Sequence, residues 1–315
     1  MSRAKILVTC PPALATAHTY IDRLHAMNLD VVLADVVQQL SEDELIGLLG
    51  DVDGMIAGDD PLTARVLEHA PRLRILVRWG VGMDNVDLTA ATALGIRVVN
   101  TPGVFGDEVA DVAIGYLILL ARKLHRVDQA VRAGTWPKPQ GRSLAGRTLG
   151  IVGLGAIGRG VARRAVAMRM ETLGNDISPI ACDAGAAEGV KIESLDLVLA
   201  SSDAVVLCCA LTDANRHTVN AAALNRMRRG AWLINVSRGA LIDEVALVDA
   251  LASGHLAGAA LDVFEQEPLP PDHPLREFDQ VIFGSHNASN TVEAVDRVNA
   301  LAIDHLQRGL AEVRR

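Results

Sequence analysis

A glycine-rich turn between a predicted strand and a predicted helix constrains the fold of this chain more than any other feature. Residues 148–152 form a short apolar run that leads directly into residues 153–158, with the sequence GLGAIG, and then into an Arg- and Ala-rich helix over 159–168. In such a turn the first glycine permits a tight bend and the second lets a pyrophosphate approach the backbone. The third glycine lets the helix pack closely on the strand. The segment therefore predicts a dinucleotide-binding βαβ unit.

An acidic residue follows this turn at the spacing that dinucleotide sites use. Asp176 lies 18 residues after Gly158, at the end of the next predicted strand, 172–174. An acid at this position binds the hydroxyls of the adenosine ribose. Because no Arg neighbours Asp176 to bind the extra phosphate of NADP, the sequence favours NAD. The alternative interpretation is a glycine-rich turn in an ordinary α/β protein.

Short apolar runs alternate with helical stretches along the rest of the chain, which is typical of parallel sheets with crossover helices. Besides 148–152, the predicted strands are 6–9, 31–34, 54–57, 74–77, 96–99, 172–174, 204–208, 231–235, 258–261 and 281–283. One long helix is predicted from about Gly106 to Ala133, and another from Thr291 to about Leu310. We therefore predict an α/β fold with two doubly wound parallel-sheet domains.

Composition narrows the classes of function. Half of the 315 residues are hydrophobic and the net charge is −8, which indicates a globular protein and excludes a disordered or collagen-like chain. No basic tract interrupts the acidic balance, so neither nucleic acid nor a membrane is expected as a partner. The longest apolar run, 112–121, is shorter than the roughly 20 residues that span a bilayer. The four cysteines form no CxxC pair and no secretory signal is visible, so we expect a cytoplasmic protein without a disulfide framework or a metal site.

Three polar residues follow predicted strands of the second α/β series. Arg238 lies in the sequence NVSRG, Glu267 in DVFEQEP and His286 in GSHNA. Because open parallel sheets bind ligands at the carboxyl ends of their strands, these side chains are expected at one edge of the sheet. Each residue alone would ordinarily be a solvated or structural residue. Together, and downstream of the glycine turn, they form a candidate catalytic set.

Several segments in the same order resemble the D-isomer-specific 2-hydroxyacid dehydrogenase family, and the resemblance covers nearly the whole chain. They are residues 80–87, 100–103, 153–158, 235–239 with 243–244, 262–268, and His286. The chain looks most like the short form of the phosphoglycerate dehydrogenase and hydroxypyruvate reductase branch, since only 29 residues follow His286. The resemblance implies an oxidoreductase that transfers a hydride between NAD(H) and a small D-2-hydroxy acid or its 2-oxo acid.

The same resemblance implies a role for each candidate catalytic residue. His286 would be the general acid that protonates the carbonyl oxygen, and the base in the oxidative direction. Glu267 would orient the imidazole and favour its protonated form by opposite charge. Arg238 would bind the substrate carboxylate and polarise the carbonyl oxygen, for which a planar guanidinium is suited.

The resemblance also implies the residues that contact the substrate and the cofactor. Backbone amides of the loop Gly80, Val81 and Gly82 would bind the carboxylate, with Arg78 and Trp79 beside them. The expected cofactor contacts are Gly153, Gly155, Ala156, Ile157, Gly158, Asp176, Val81, Cys209, Ala210, Val236, Ser237, Asp262 and Ala288, with Asp262 at the nicotinamide carboxamide. Cys208 and Cys209 are interpreted as small hydrophobic residues, because nothing visible would activate a thiol.

The last helix is predicted to return to the first domain. Residues 1–100 and 286–315 would then form a flavodoxin-like substrate domain, into which a Rossmann NAD-binding domain, 101–285, is inserted, with the active site in the cleft between them. The resemblance further implies a homodimer in which the helix from Gly106 and the segment through Trp136 embrace a second subunit. Two alternatives stay open: a non-catalytic NAD-sensing protein of the transcriptional corepressor type, and a phosphite dehydrogenase-like enzyme.

Overall fold

The computed structural model describes residues 3–312, and the chain divides into two compact units. The terminal unit comprises Met1–Val104 and Asn290–Arg315, and the central unit comprises Phe105–Ser289. The strands are β1 (Ala4–Val8), β2 (Leu29–Leu33), β3 (Gly54–Ala57), β4 (Ile75–Arg78), β5 (Arg97–Val99), β6 (Thr148–Val152), β7 (Glu171–Asn175), β8 (Lys191–Ile192), β9 (Ala204–Leu207), β10 (Ala231–Asn235), β11 (Leu256–Leu261) and β12 (Val281–Phe283). The α-helices are α1 (Pro11–Ala15), α2 (Ile21–Ala26), α3 (Glu42–Leu49), α4 (Ala64–Glu68), α5 (Leu88–Ala93), α6 (Gly106–Arg122), α7 (Leu124–Arg132), α8 (Ala156–Ala167), α9 (Pro179–Ala187), α10 (Leu195–Ser201), α11 (Ala221–Arg226), α12 (Glu244–Ala252) and α13 (Val292–Glu312).

The terminal unit is built on a five-stranded parallel sheet in the order β2-β1-β3-β4-β5, which is the flavodoxin-like order. Its strands are short apolar runs because both faces of the sheet are covered by helices. Helix α13 packs on β3 and β4, so the last described segment of the chain belongs to this unit. Close packing is possible because Gly309 lies over Ile75: a Cβ at this glycine would lie 2.7 Å from Ile75 Cγ1.

The central unit is built on a seven-stranded parallel sheet in the order β12-β11-β10-β9-β6-β7-β8. The chain leaves the middle of this sheet in one direction through β7 and in the other through β9, so the order reverses at β6. In doubly wound sheets this reversal opens a crevice at the carboxyl ends of the strands, where ligands bind. The prediction of an α/β fold with two parallel-sheet domains is confirmed.

Apart from shifts in the bounds of elements, the main differences from the predicted secondary structure concern one strand and one helix. All eleven predicted strands overlap observed strands, but the two-residue edge strand β8 was not predicted. The single long helix predicted over 106–133 is wrong, because Lys123 adopts a left-handed backbone conformation, with φ of +56°, and separates α6 from α7. The Ala121 carbonyl, left unpaired by this break, accepts a hydrogen bond from the Arg142 N–H at 2.8 Å. Among residues 3–312, no helix combines the length and the apolar character needed to span a bilayer.

Replacing glycine by alanine should have opposite effects on stability at two helical positions, because Gly309 packs closely on β4 whereas Gly115 has open space beside it. Gly309→Ala would force the new methyl group against the fully buried Ile75 side chain and should lower the free energy of unfolding by about 1–3 kcal/mol. Gly115→Ala in α6, where a Cβ meets nothing within 4 Å, should raise it by about 0.5–1 kcal/mol. Urea denaturation of both variants measures the difference, and equal effects at the two sites would contradict the close packing of α13.

Candidate active site

The glycine turn lies between β6 and α8 and combines two crowded positions with one open position. Gly153 has a φ of +95°, and a Cβ there would lie 2.4 Å from Cys209 N. A Cβ at Gly158 would lie 1.9 Å from Gly153 O. At Gly155, by contrast, a Cβ would meet nothing within 4 Å. The turn is therefore held tightly on two sides, while its middle leaves room for a ligand beside the start of α8.

The start of α8 and the end of β7 fit two parts of a dinucleotide, the pyrophosphate and the adenosine ribose. No side chain caps α8, so its first backbone N–H groups, including those of Ala156 and Ile157, are oriented to bind phosphate. Asp176 accepts hydrogen bonds from Leu154 N at 2.7 Å and from Ser178 N at 2.8 Å. These bonds fix the Asp176 carboxylate next to the turn. There it would accept hydrogen bonds from the ribose hydroxyls of NAD and would repel the 2′-phosphate of NADP. The residues at this position therefore fit NAD.

Two hydrogen bonds fix the chain that follows β9, at residues predicted to contact the cofactor. Ser237 Oγ donates to Cys209 O, and Asn215 Nδ2 donates to Ala210 O at 2.8 Å. Burial raises the pKa of the Cys209 thiol to about 11 and also raises the pKa of Cys208. Both thiols are therefore protonated at neutral pH, which supports their interpretation as small hydrophobic residues.

His286 and Glu267 are in direct contact. His286 Nδ1 lies 2.7 Å from Glu267 Oε2, and the two side chains are 22% and 17% exposed. The other carboxylate oxygen of Glu267, Oε1, accepts a hydrogen bond from Phe264 N at 2.9 Å. The backbone at His286 is left-handed, with φ of +54°, and its N–H donates to Asp262 O at 2.7 Å. Since the Glu267 carboxylate accepts at Nδ1, this nitrogen of His286 carries a proton.

Asp262, predicted at the nicotinamide, is only 2% exposed and fixes the chain that follows His286. Its Oδ1 accepts hydrogen bonds from Tyr116 Oη at 3.1 Å and Asn287 N at 3.3 Å, and its Oδ2 accepts one from Ala288 N at 2.9 Å. Burial and the neighbouring Asp262 carboxylate raise the pKa of Tyr116, so its hydroxyl stays a donor. The carboxylate thus holds the loop after β12 in place, and its contact with a cofactor stays a prediction.

Arg238 lies in the turn after β10, and the structure brings this turn against the loop of Glu267. Asn235 Nδ2 donates to Arg238 O at 2.8 Å, while the Arg238 guanidinium Nη1 donates to Ser237 O at 2.8 Å. A Cβ at Gly239 would lie 1.8 Å from the carbonyl carbon of Phe264, so only glycine permits this approach. Arg238, Glu267 and His286 therefore follow three adjacent strands, β10, β11 and β12.

In the terminal unit, the loop predicted to bind the substrate carboxylate follows β4. Gly80 has a φ of +141°, and its N–H donates to Thr101 Oγ1 at 2.9 Å. The side chain of Val81 is 45% exposed, and its carbonyl accepts a hydrogen bond from Asn100 Nδ2 at 2.7 Å. Within residues 3–312, the N–H groups of Val81 and Gly82 have no protein acceptor. These two amides are suited to bind an anion.

Arg78 and Trp79, also predicted to border the substrate, are buried inside the terminal unit. Arg78 is 4% exposed, and its guanidinium contacts Asp59 and donates to Asn85 Oδ1 at 3.3 Å. Trp79 is 5% exposed, and its Nε1 donates to Asn299 Oδ1 at 2.8 Å. Both side chains thus support the loop that follows them, and their contact with a substrate stays a prediction.

Two acidic residues near the catalytic set were not assigned a role from the sequence. Glu244 begins α12, and Glu265 lies two positions before Glu267. The only sequence signal was that Glu244 belongs to a segment matching the family pattern. Their pairing joins residues 21 positions apart and follows no local periodicity.

Comparisons with known proteins show which family this chain is similar to. The sequence model of the D-isomer specific 2-hydroxyacid dehydrogenase NAD binding domain matches residues 114–288. Glyoxylate reductase of Thermofilum pendens is 39% identical over 273 residues, which cover 84% of this chain and 80% of that protein. Glyoxylate reductase of Aeropyrum pernix is 35% identical over 319 residues, covering 97% and 92%. The crystal structure of D-lactate dehydrogenase from Aquifex aeolicus, complexed with NAD and lactic acid, matches with a TM-score of 0.84 and 27% identity over 98% of this chain and 95% of that chain.

The position of Asp176 predicts cofactor discrimination. Asp176→Ser should raise the Kd for NADH about tenfold, because charge-assisted hydrogen bonds to the ribose are lost, and should lower the Kd for NADPH. Asp183→Ser, an exposed change on the neighbouring helix α9, is the matched control and should change neither value. Fluorescence titration with both cofactors measures the four constants. An unchanged ratio of the two Kd values in Asp176→Ser would contradict the assignment.

Proposed function

The chain belongs to the D-isomer-specific 2-hydroxyacid dehydrogenase family, and on this basis we propose that it reduces small 2-oxo acids to D-2-hydroxy acids with NADH, and catalyses the reverse reaction. The protein is therefore an NAD-dependent dehydrogenase. The central unit is proposed to bind NAD, and the terminal unit to bind the substrate. The observation that carries the proposal is the 2.7 Å contact between His286 Nδ1 and Glu267 Oε2 after adjacent strands of the cofactor-binding sheet.

His286 is proposed to be the acid–base group. Reduction adds a hydride, which NADH supplies when bound, to the carbonyl carbon, and the carbonyl oxygen needs a proton. Protonated His286 donates this proton from Nε2, while Nδ1 stays against Glu267. The Glu267 carboxylate stabilises the imidazolium by opposite charge and fixes the orientation of the ring. In the oxidative direction neutral His286 accepts the hydroxyl proton at the same atom.

Substrate binding is proposed to use one guanidinium and two backbone amides. The planar guanidinium of Arg238 is suited to bind a carboxylate and to polarise the adjacent carbonyl oxygen. The N–H groups of Val81 and Gly82, which have no acceptor within the described part of the chain, supply further donors to the carboxylate. Because relatives that cover most of the chain include glyoxylate reductases and a hydroxypyruvate reductase, glyoxylate and hydroxypyruvate are the proposed substrates.

A homodimer is also proposed. Residues 131–143 are exposed throughout, and the indole of Trp136 is 77% exposed in this segment. Exposed apolar side chains grouped in one extended segment are typical of a surface that a partner covers. A second copy of the chain is the proposed partner, and the protein is proposed to act in the cytoplasm.

A panel of acids tests the reaction. Purified protein with NADH should oxidise the cofactor, followed at 340 nm, with glyoxylate or hydroxypyruvate and more slowly with pyruvate or phosphohydroxypyruvate. Tight NADH binding without turnover of any 2-oxo acid would contradict the proposal. If NADH-dependent protein partners were then found, a cofactor-sensing role would replace it. Reduction of NAD by phosphite in place of a hydroxy acid would indicate a phosphite dehydrogenase.

Substitution of the proposed acid–base group tests its role. Asn tolerates a left-handed backbone, so His286→Asn removes the imidazole without straining the loop. This variant should lower kcat by about 10²- to 10⁴-fold and leave the Kd for NADH within about twofold, because general acid catalysis is lost while the glycine turn is intact. The exposed change His25→Asn is the control. Near-normal turnover by His286→Asn would show that another group supplies the proton.

A further inference from the structure

Two carboxylates outside the proposed catalytic set join the start of α12 to the loop that carries Glu267. Glu244 Oε1 accepts a hydrogen bond from Glu265 N at 2.9 Å, and Glu265 Oε1 accepts one from Glu244 N at 3.3 Å. Each side chain therefore binds the backbone of the other residue. This reciprocal pair, which we refer to as the Glu244–Glu265 clamp, fixes the loop at a point two residues before Glu267.

Each carboxylate of the clamp also faces an imidazole through its second oxygen. His273 Nε2 lies 3.1 Å from Glu244 Oε2, and His217 Nε2 lies 3.2 Å from Glu265 Oε2. His273 Nδ1 accepts a hydrogen bond from Leu275 N at 3.3 Å, so the proton of the neutral ring is on Nε2 and faces Glu244. The His273 imidazole thus binds the Glu244 carboxylate and offsets part of the repulsion between the two neighbouring carboxylates. Among residues 3–312, no group of His, Cys, Asp and Glu side chains is arranged to hold a metal ion.

Burial makes Glu244 a costly residue for a purely structural contact. It is 8% exposed, and burial raises the pKa of its carboxyl, while the Glu265 N–H and His273 act in the opposite direction. Replacing buried charged groups by well-packed apolar side chains is often neutral or stabilising, so stability alone is a weak reason for a carboxylate at this position. Capping of α12 is not that use, because Asp243 already caps the helix by accepting a hydrogen bond from Ala246 N at 3.1 Å.

The clamp is connected to the proposed acid–base pair by consecutive contacts. Phe264, which precedes Glu265, donates its N–H to Glu267 Oε1 at 2.9 Å. Glu267 Oε2 lies 2.7 Å from His286 Nδ1. The backbone of Phe264 also packs directly against Gly239, the residue that follows Arg238. A shift of residues 264–265 would therefore move the carboxylate away from the imidazole.

We propose that Glu244 and Glu265 are positioning residues that hold the Glu267 carboxylate against His286, so that substitutions in the clamp reduce turnover through Glu267. This inference rests on the roles of Glu267 and His286 in the proposed function. The clamp contacts neither cofactor nor substrate in this scheme. Its loss should affect kcat more than cofactor binding.

A double-mutant cycle in the full-length protein tests the proposal. With glyoxylate and NADH, Glu244→Ala should lower kcat about tenfold and leave the Kd for NADH within about twofold. In a Glu267→Gln background, the same substitution should lower kcat by less than about twofold, since the group through which it acts is already altered. Glu244→Gln, which keeps an acceptor for Glu265 N, should retain more activity than Glu244→Ala. Glu277→Ala, an exposed change four positions after His273, is the control and should not change kcat.

The outcomes separate this inference from the proposed function. An equal loss of kcat in both backgrounds, or no loss in either, would overturn the positioning role while the wild-type reaction stands. A wild-type protein that reduces no 2-oxo acid would instead contradict the proposed function on which the inference rests. If Glu244→Ala does not bind NADH, the cycle is repeated with Glu265→Ala, which removes the other half of the clamp, and additive effects there would overturn the inference.

Discussion

The common direction of the strands in the central unit is the constraint on which its functional edge depends. Because all seven strands are parallel, their carboxyl ends lie along one edge of the sheet. The residues that follow these ends are the glycine turn after β6, Asp176 after β7, Cys209 after β9, Arg238 after β10, Glu267 after β11 and His286 after β12. Gly153 and His286 are 133 positions apart in the sequence, so strand direction, not local sequence, assigns them to the same edge.

Features that depend on local pattern could be predicted from the sequence. Strands buried on both faces are near-continuous apolar runs, and the glycine turn has a fixed spacing relative to β6 and α8, so both were recognised. Features that depend on distant partners could not. Lys123 ends α6 without a Gly or Pro, and the freed Ala121 carbonyl finds its donor at Arg142. Similarly, the sequence does not reveal that the Arg78 guanidinium contacts Asp59 and Asn85 within the terminal unit.

Carboxylates fix the loops of this edge, which explains how an acidic chain can present a site for anions. Asp176, Asp262 and Glu267 each accept at least one hydrogen bond from a backbone N–H of a neighbouring loop. The Glu244–Glu265 clamp repeats this arrangement between a loop and a helix. A carboxylate that accepts charge-assisted bonds from amides has much of its charge balanced locally. The net charge of −8 therefore says little about the potential at the positions where Arg238 and the start of α8 would meet a ligand.

Close backbone contact determines which parts of the edge stay open. At Gly158 and Gly239 the neighbouring backbone is so near that a Cβ would lie within 2 Å of it, at 1.9 Å and 1.8 Å. The first contact brings the start of α8 onto Gly153, and the second brings the Arg238 turn onto the Glu267 loop, so neither position leaves space for a ligand. Gly155 lies two positions after a crowded glycine, yet nothing surrounds it, and the uncapped amides of α8 begin there. The three glycines of the turn are thus required for two different reasons. At Gly153 and Gly158 protein atoms fill the space that a side chain would need, and at Gly155 a pyrophosphate would fill it.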